Sequence, residues 1–199
     1  DAGTPYFEAR NLLSLDICSR FKSDKRHMAL REILIVPDPR LKQECEEVAE
    51  VNDEIRELLN DMLETMYAAP GIGLAAPQIG VMKRVVVMDV SDEAEKRQSL
   101  KLVNPEIIWE SEDTEVYQEG CLSIPDQYAD VERPCEVGMR YLDENGKEQE
   151  IEADGLLATC IQHELDHLDG ILFTDYLSAL KRNMILKKVQ KLQKTKKSA

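Results

Sequence analysis

His163-Glu164-Leu165-Asp166-His167 is an H-E-x-x-H sequence whose two imidazoles fall four residues apart. On a helix that spacing sets both rings on one face, where they could hold a single divalent ion, and it leaves the Glu164 carboxylate beside them to handle the proton of a water. For five letters alone, a helix face with two solvated histidines is the plain alternative. The chain has only three histidines, however, and two of them lie here, with His27 far upstream. Two imidazoles make an incomplete catalytic site, because such sites take three protein ligands and leave a position for water. Residues 176–199 contain no His, Asp or Glu, and Asp169 and Asp175 stand too near the motif to be chosen. Upstream, Glu119-Gly120-Cys121-Leu122-Ser123 places a cysteine beside a glycine at the end of a predicted strand, where backbone can approach a metal closely. Cys121 is therefore the favoured third ligand. Its alternative is a small buried hydrophobe, the state expected of Cys45, Cys135 and Cys160. A glycine-rich stretch, Gly71–Gly80, contains Gln78, whose amide could donate to a developing oxyanion; taken alone, it reads better as a strand-entry turn.

The elements that must position these groups have local signatures. Leu157, Cys160, Ile161, Glu164 and Leu168 recur at helical spacing, predicting a helix from about Asp154 to Leu168 with Gly170 as its stop. Asn52 can cap a second helix whose first turn holds Asp53 and Glu54 and whose apolar face is Ile55, Leu58, Leu59, Met62, Leu63 and Met66, ending near Pro70-Gly71. A third is expected from about Asp175 to Lys194, with Leu177, Leu180, Met184 and Val189 as its apolar stripe. Strands are expected at Ile33–Val36, Arg84–Val90, Leu100–Asn104, Glu106–Trp109, Thr114–Gln118, Val137–Asp143 and Glu148–Glu152, the last two joined by a Glu144-Asn145-Gly146 turn. The expected fold class is α+β: a mostly antiparallel sheet around a central helix carrying H-E-x-x-H, with a C-terminal helix outside.

At 199 residues the chain suits one domain, and 43% hydrophobic with 32% charged residues is a globular composition. Residues 1–27 show no sustained apolar period before Met28, so they are read as an N-terminal extension and 28–199 as a single domain. No apolar run reaches the roughly 18 residues of a spanning helix. Five scattered cysteines do not make a disulfide framework. A cytoplasmic location and no membrane partner are expected. The net charge of −14 is uneven: residues 181–199 hold eight Lys/Arg and no acid, leaving the rest near −22. Such a body argues against DNA as a partner, whereas the basic end suits an RNA-rich surface.

Three stretches, Gly71–Gly80, Glu119–Ser123 and Gln162–Gly170, together resemble the signature motifs of the peptide deformylase family in order and approximate spacing, over about Met28 to Leu180. The resemblance implies a hydrolase of protein biosynthesis that removes the formyl group from the N-terminal formyl-methionine of nascent polypeptides and releases formate. It implies metal ligands at Cys121, His163 and His167, catalytic roles at Glu164, Gln78, Leu122 and Gly73, and a substrate pocket that includes Ile72, Gly120, Tyr117, Leu156 and Cys160, with Thr159 its least apolar member. Ferrous iron is the implied native ion, with zinc or nickel able to substitute, and the ribosome is an implied partner of the basic C-terminal helix. One departure concerns the peptide backbone: where several members carry an arginine, this chain has Asp126-Gln127-Tyr128, and the next arginine, Arg133, is a candidate partner for Glu119. Asp166 reads either as an outer support for a histidine or as a solvated helix residue.

Rival readings differ in one feature each. A zincin-type protease would share H-E-x-x-H but lack the cysteine ligand and the Gln78 loop. A closed metal-stabilised binding protein would need a fourth ligand such as Cys160 or Cys135. An RNA-docking module would place the main function in the basic tail.

Overall fold

The computed structural model describes residues 29–91 and 97–197; the expected extension at 1–27 lies outside them. In chain order the elements are helix α1 (Asp53–Ala68), strands β1 (Gly73–Ala75), β2 (Val85–Met88), β3 (Leu100–Glu110), β4 (Thr114–Cys121), β5 (Ile124–Pro134), β6 (Glu136–Leu142) and β7 (Glu148–Asp154), then helices α2 (Gly155–Leu168) and α3 (Ala179–Lys197). Strands β1-β2-β3-β6-β7 form an antiparallel five-stranded sheet in that order, and β4 pairs with β5 in a separate antiparallel ribbon.

Strand β2 shows how the layers are built. All four of its residues, Val85-Val86-Val87-Met88, are buried. Val86 and Met88 point into a core with Ala158, Ile161, Leu165 and Leu168 of α2, whereas Val85 and Val87 meet Ile55, Leu59, Met62 and Met66 of α1. Alternation along one strand thus sets one helix on each face of the sheet. Each fully buried Val, Leu, Ile or Met in these layers contributes roughly 1.5–3 kcal/mol. Helix α1 begins as its cap predicts: Asn52 Oδ1 accepts from Ile55 N at 3.1 Å. A third cluster joins Ala129 and Val131 of β5 to Phe173 and to Ile185 and Val189 of α3.

Several elements differ from expectation. Ile33–Val36 is no strand, because its backbone donors go to two different loops: Leu34 N to Gln78 O at 2.7 Å and Val36 N to Ser123 O at 3.0 Å. The two strands expected between Leu100 and Trp109 are one, with a register shift between Ile107 and Trp109 and another between Val103 and Glu106, where Asn104 takes φ +49° and uses its amide to bridge Val48 N and O. Strand β5 went unpredicted; prolines sit at Pro125 and Pro134, near its two ends, where the ladder tolerates them. Phe173–Tyr176 forms a separate 3-10 turn, so α3 starts later than expected. Its buried positions are Ile185 and Val189, one helical turn apart, while Leu180 is 73% and Met184 53% exposed. Met184 and Val189 are out of helical phase, and β5 selects the latter.

Candidate active site

Helix α2 is the buried element: from Ala158 to Leu168 every residue is buried except Asp166, which is partly so. Its apolar side fills the core against the sheet. Its polar side faces the β4–β5 ribbon, and there each buried polar group needs a partner or a reason to lack one. Gln162 Nε2 donates to Pro134 O and Ala158 O, both at 3.0 Å. The Nδ1 of His163 lies 2.7 Å from Glu119 Oε2. Among the described residues, the buried side-chain polar atoms without a partner are Glu164 Oε2 and His167 Nδ1.

Those two residues border a convergent group of donors. Cys121, His163 and His167 each offer a ligand atom, all within 4.8 Å of one another, and no other such group of His, Cys, Asp or Glu occurs among the described residues. Cys121 Sγ lies 3.2 Å from His167 Nε2. With His163 Nδ1 engaged by Glu119, the Nε2 of that ring is the atom left for a ligand. One thiol, two imidazoles and an adjacent carboxylate with one unpartnered oxygen fit a divalent transition metal. Three of the alternative ligands are engaged elsewhere: Asp169 pairs with Arg84 at 2.6 Å, Asp175 with Lys42, and Cys160 Sγ lies 3.7 Å from Ile72 O.

Protonation follows from burial and neighbours. Burial pushes the Glu164 carboxyl up to about 7, the His163 charge only partly opposing it. Burial also holds His167 well below the usual histidine value. For His163 burial acts downward too, but hydrogen bonding to Cys121 and Glu119 raises it well above that value. Burial would raise Glu119, yet His163 and Arg133 outweigh it and keep the carboxylate ionised. The expected pairing of Arg133 with Glu119 is present as a buried fork, Nε to Oε1 at 2.5 Å and Nη2 to Oε2 at 3.1 Å.

A cavity of about 530 Å³ opens onto Glu164, His163 and Cys121. Gly73, Gln78 and Leu122 line it, as do Ile72, Tyr117, Gly120, Leu156, Thr159 and Cys160; His167 meets the cluster through Cys121 and does not line the cavity. A Cβ on Gly73 would lie 2.7 Å from the Glu164 carboxyl carbon, so only glycine lets β1 approach that side chain. Gln78 is anchored by its Oε1, which accepts from Ala75 N at 2.8 Å, and its Nε2 is left facing Ser123 Oγ at 3.2 Å and Cys121 Sγ at 3.5 Å. Thr159 donates its hydroxyl to Gly155 O at 3.1 Å and so does not bring an unmet polar demand to the pocket. Ile72 and Leu156 are exposed at the rim.

Sequence reasoning did not single out Ser123, which is fully buried beside Gln78, and neither letter type nor spacing signals it. It also left Tyr128 unplaced; the ring packs over Gly120, where a Cβ would meet Tyr128 Cε1 at 2.6 Å, and lines the cavity.

A family model described as polypeptide deformylase matches residues 30–183. The peptide deformylase of Phenylobacterium zucineum is 60% identical over 164 residues, covering 82% of this chain and 97% of that protein. The peptide deformylase of Rhizobium meliloti is 54% identical over 169 residues, covering 85% and 97%. Among solved structures, a peptide deformylase from Legionella pneumophila superposes with a TM-score of 0.81 at 43% identity, covering 86% of this chain and 99% of that one. That of Ehrlichia chaffeensis in complex with actinonin gives 0.79 at 44% identity, covering 82% and 97%.

Proposed function

The chain belongs to the polypeptide deformylase family, and we propose that Glu164, Gln78, Leu122 and Gly73 carry its catalysis around an ion held by Cys121, His163 and His167. Its reaction is the hydrolysis of the N-formyl group on nascent polypeptides, releasing formate. The single observation that carries the assignment of roles is the buried Glu164 carboxylate, with one oxygen unpartnered, next to three convergent donors inside a cavity.

A divalent ion in this donor set supplies Lewis acidity, making a water acidic enough to attack near neutral pH and polarising the formyl carbonyl. Glu164 accepts the proton of the attacking water at its unpartnered oxygen as the water oxygen bonds to the formyl carbon. Gln78 Nε2 and the Leu122 backbone N–H donate to the oxygen that becomes negative. The C–N bond then breaks, Glu164 returns the proton to the departing amine, and formate leaves. Gly73 keeps β1 close enough to support Glu164, and Ile72, Gly120, Tyr117, Leu156 and Cys160 receive the methionine side chain and adjoining backbone. Crowding between Gln78 and the Cys121 strand admits a formyl carbon, which bears only hydrogen, and rejects larger acyl groups.

Ferrous iron is the proposed ion; the same donors accept zinc or nickel. Residues 28–199 are proposed to act as one domain in the cytoplasm, without membrane or DNA partners; no described helix is long and apolar enough to cross a membrane. The lysine-rich α3 is proposed to dock on the ribosome. The deciding experiment follows formate release from an N-formyl-Met peptide by iron-loaded protein prepared without oxygen, beside the N-acetyl peptide. Release from the formyl peptide alone is expected; no release from metal-replete protein overturns the reading.

A further inference from the structure

Behind His163 a chain of polar groups runs to the surface. His163 Nδ1 meets Glu119 at 2.7 Å, and Arg133 grips both Glu119 oxygens. The remaining corner of the guanidinium, Nη1, lies 2.9 Å from Asp166 Oδ2. Asp166 in turn accepts from the Tyr176 hydroxyl at 3.1 Å and 3.0 Å through its two oxygens. The Tyr176 ring also lies across the guanidinium, 4.9 Å from Arg133 Cζ. Burial declines outward, from Glu119 and Arg133, each 5% exposed, to Tyr176 at 51%. The outer end opens into a second cavity of about 360 Å³, lined by Arg84, Arg133, Gln162, Asp166 and Tyr176 among others.

The arrangement poses a problem of shared charge. Arg133 is one cation between two carboxylates, and only one of them supports His163. If Asp166 had no other donor, it would draw the guanidinium outward and weaken the fork on Glu119. Tyr176 supplies that other donor, and its ring covers the guanidinium from the solvent side. A partner behind a ligating histidine fixes the ring's tautomer and orientation, so slack in the fork reaches the donor atom on the other side of the ring.

We propose that Asp166 and Tyr176 are positioning residues for His163, acting through Arg133 and Glu119. The inference rests on the reading of Cys121, His163 and His167 as metal ligands, but not on the identity of the substrate. Tyr176→Phe keeps the ring and removes the hydroxyl; Asp166→Asn removes the charge that holds Nη1. Cobalt(II)-loaded proteins are compared by their visible absorption bands, by the rate of cobalt loss to a chelator, and by kcat and KM on a formyl-Met peptide; the metal-free forms are compared by thermal melting. In Asp166→Asn, cobalt loss is expected to quicken about tenfold, the low end of what disturbing a ligand's partner costs. Tyr176→Phe is expected to move the same way by less. Both are expected to shift the absorption bands and lower kcat with little change in KM, and Tyr176→Phe is expected to melt close to wild type. Unchanged bands and cobalt loss in Tyr176→Phe overturn the role of Tyr176, and in both variants the whole proposal; should Asp166→Asn fail to fold, Tyr176→Phe decides alone. Wild type that binds cobalt but hydrolyses nothing overturns the functional reading and leaves this comparison intact, whereas wild type that binds no cobalt overturns both.

Discussion

Helix α2 is enclosed by the rest of the molecule, whereas α3 lies along its outside, and the two treat polar residues in opposite ways. On α2 the polar residues Thr159, Gln162, His163, Glu164 and His167 are all buried. Leaving such a group without a partner costs several kcal/mol in the reference case of transfer to an apolar medium, so each is either hydrogen-bonded or held ready for something that arrives. On α3 the described lysines stay at the surface, and only Ile185 and Val189 are buried. The polar content of α2 constrains geometry closely; that of α3 constrains it little. Replacing a polar residue on α2 should therefore be felt in both stability and chemistry, and replacing one on α3 in neither unless a partner is present.

The sharpest break in this comparison is Glu164→Gln. It leaves the three donors in place, so metal content is expected to stay at wild-type level, while deformylation falls by about 10²–10⁴-fold, the usual worth of a general base. Metal analysis alongside formate release checks both halves; full activity in the variant would remove Glu164 from the chemistry. The same side chain sets a pH dependence in the metal-free protein. Burial holds its carboxyl at about 7 in the folded chain against 4.5 for an ordinary glutamate. Between those values the folded chain retains a proton that the unfolded chain has lost, so stability falls as pH rises through that window, by about 3 kcal/mol in all. Metal-free Glu164→Gln should therefore outlast wild type in urea at pH 8 and approach it near pH 4; a constant difference across that range would show that Glu164 is not the group responsible.

Much of this contrast was legible in the residues, and the remainder failed for identifiable reasons. The start of α1 followed from Asn52 and the apolar period after it, because cap and period act within a few residues of each other. The H-E-x-x-H pair was legible for the same reason. Cys121 came from its glycine and from the want of another ligand, a weaker inference that the convergence of the three donor atoms now supports. Strand β5 was missed because its stability comes from pairing with β4, and Asp126-Gln127 breaks the alternation that would have marked it. The stripe on α3 was misassigned because its sequence offers two apolar phases, and only contact with Ala129 and Val131 chooses between them. Likewise, nothing local could join Arg133, Asp166 and Tyr176.

Apolar substitutions separate the two helices without touching the chemistry. Ile161→Ala removes a fully buried side chain from the core between α2 and the sheet, and about 2–5 kcal/mol of stability is expected to be lost. Because Ile161 lies one turn from Leu165 and away from the donors, the folded fraction should keep its kcat. Ile185→Ala acts in the smaller cluster between α3 and β5, nearer the surface, and roughly 2 kcal/mol is expected. Urea unfolding of both variants checks the order; an equal loss would mean that α3 is held as tightly as α2.

The smallest effect on the isolated protein is expected where α3 is most open. Leu180→Ser and Met184→Ser alter side chains that are mostly in solvent and should change stability by no more than about 0.5 kcal/mol. Replacing Lys187, Lys188 and Lys191 by Gln should likewise leave melting and peptide hydrolysis near wild type, since none of the three lines the cavity. These substitutions acquire leverage only through a partner. Contacts between lysines and phosphates release counterions, so docking on an RNA-rich surface should weaken as salt rises, and removing three charges should both lower the affinity and flatten that dependence. Sedimentation with ribosomes across a salt series measures the two together. If the triple variant sediments as wild type does at every salt concentration, the lysines of α3 are a solvated face and nothing more, and the contrast with α2 becomes one of burial alone.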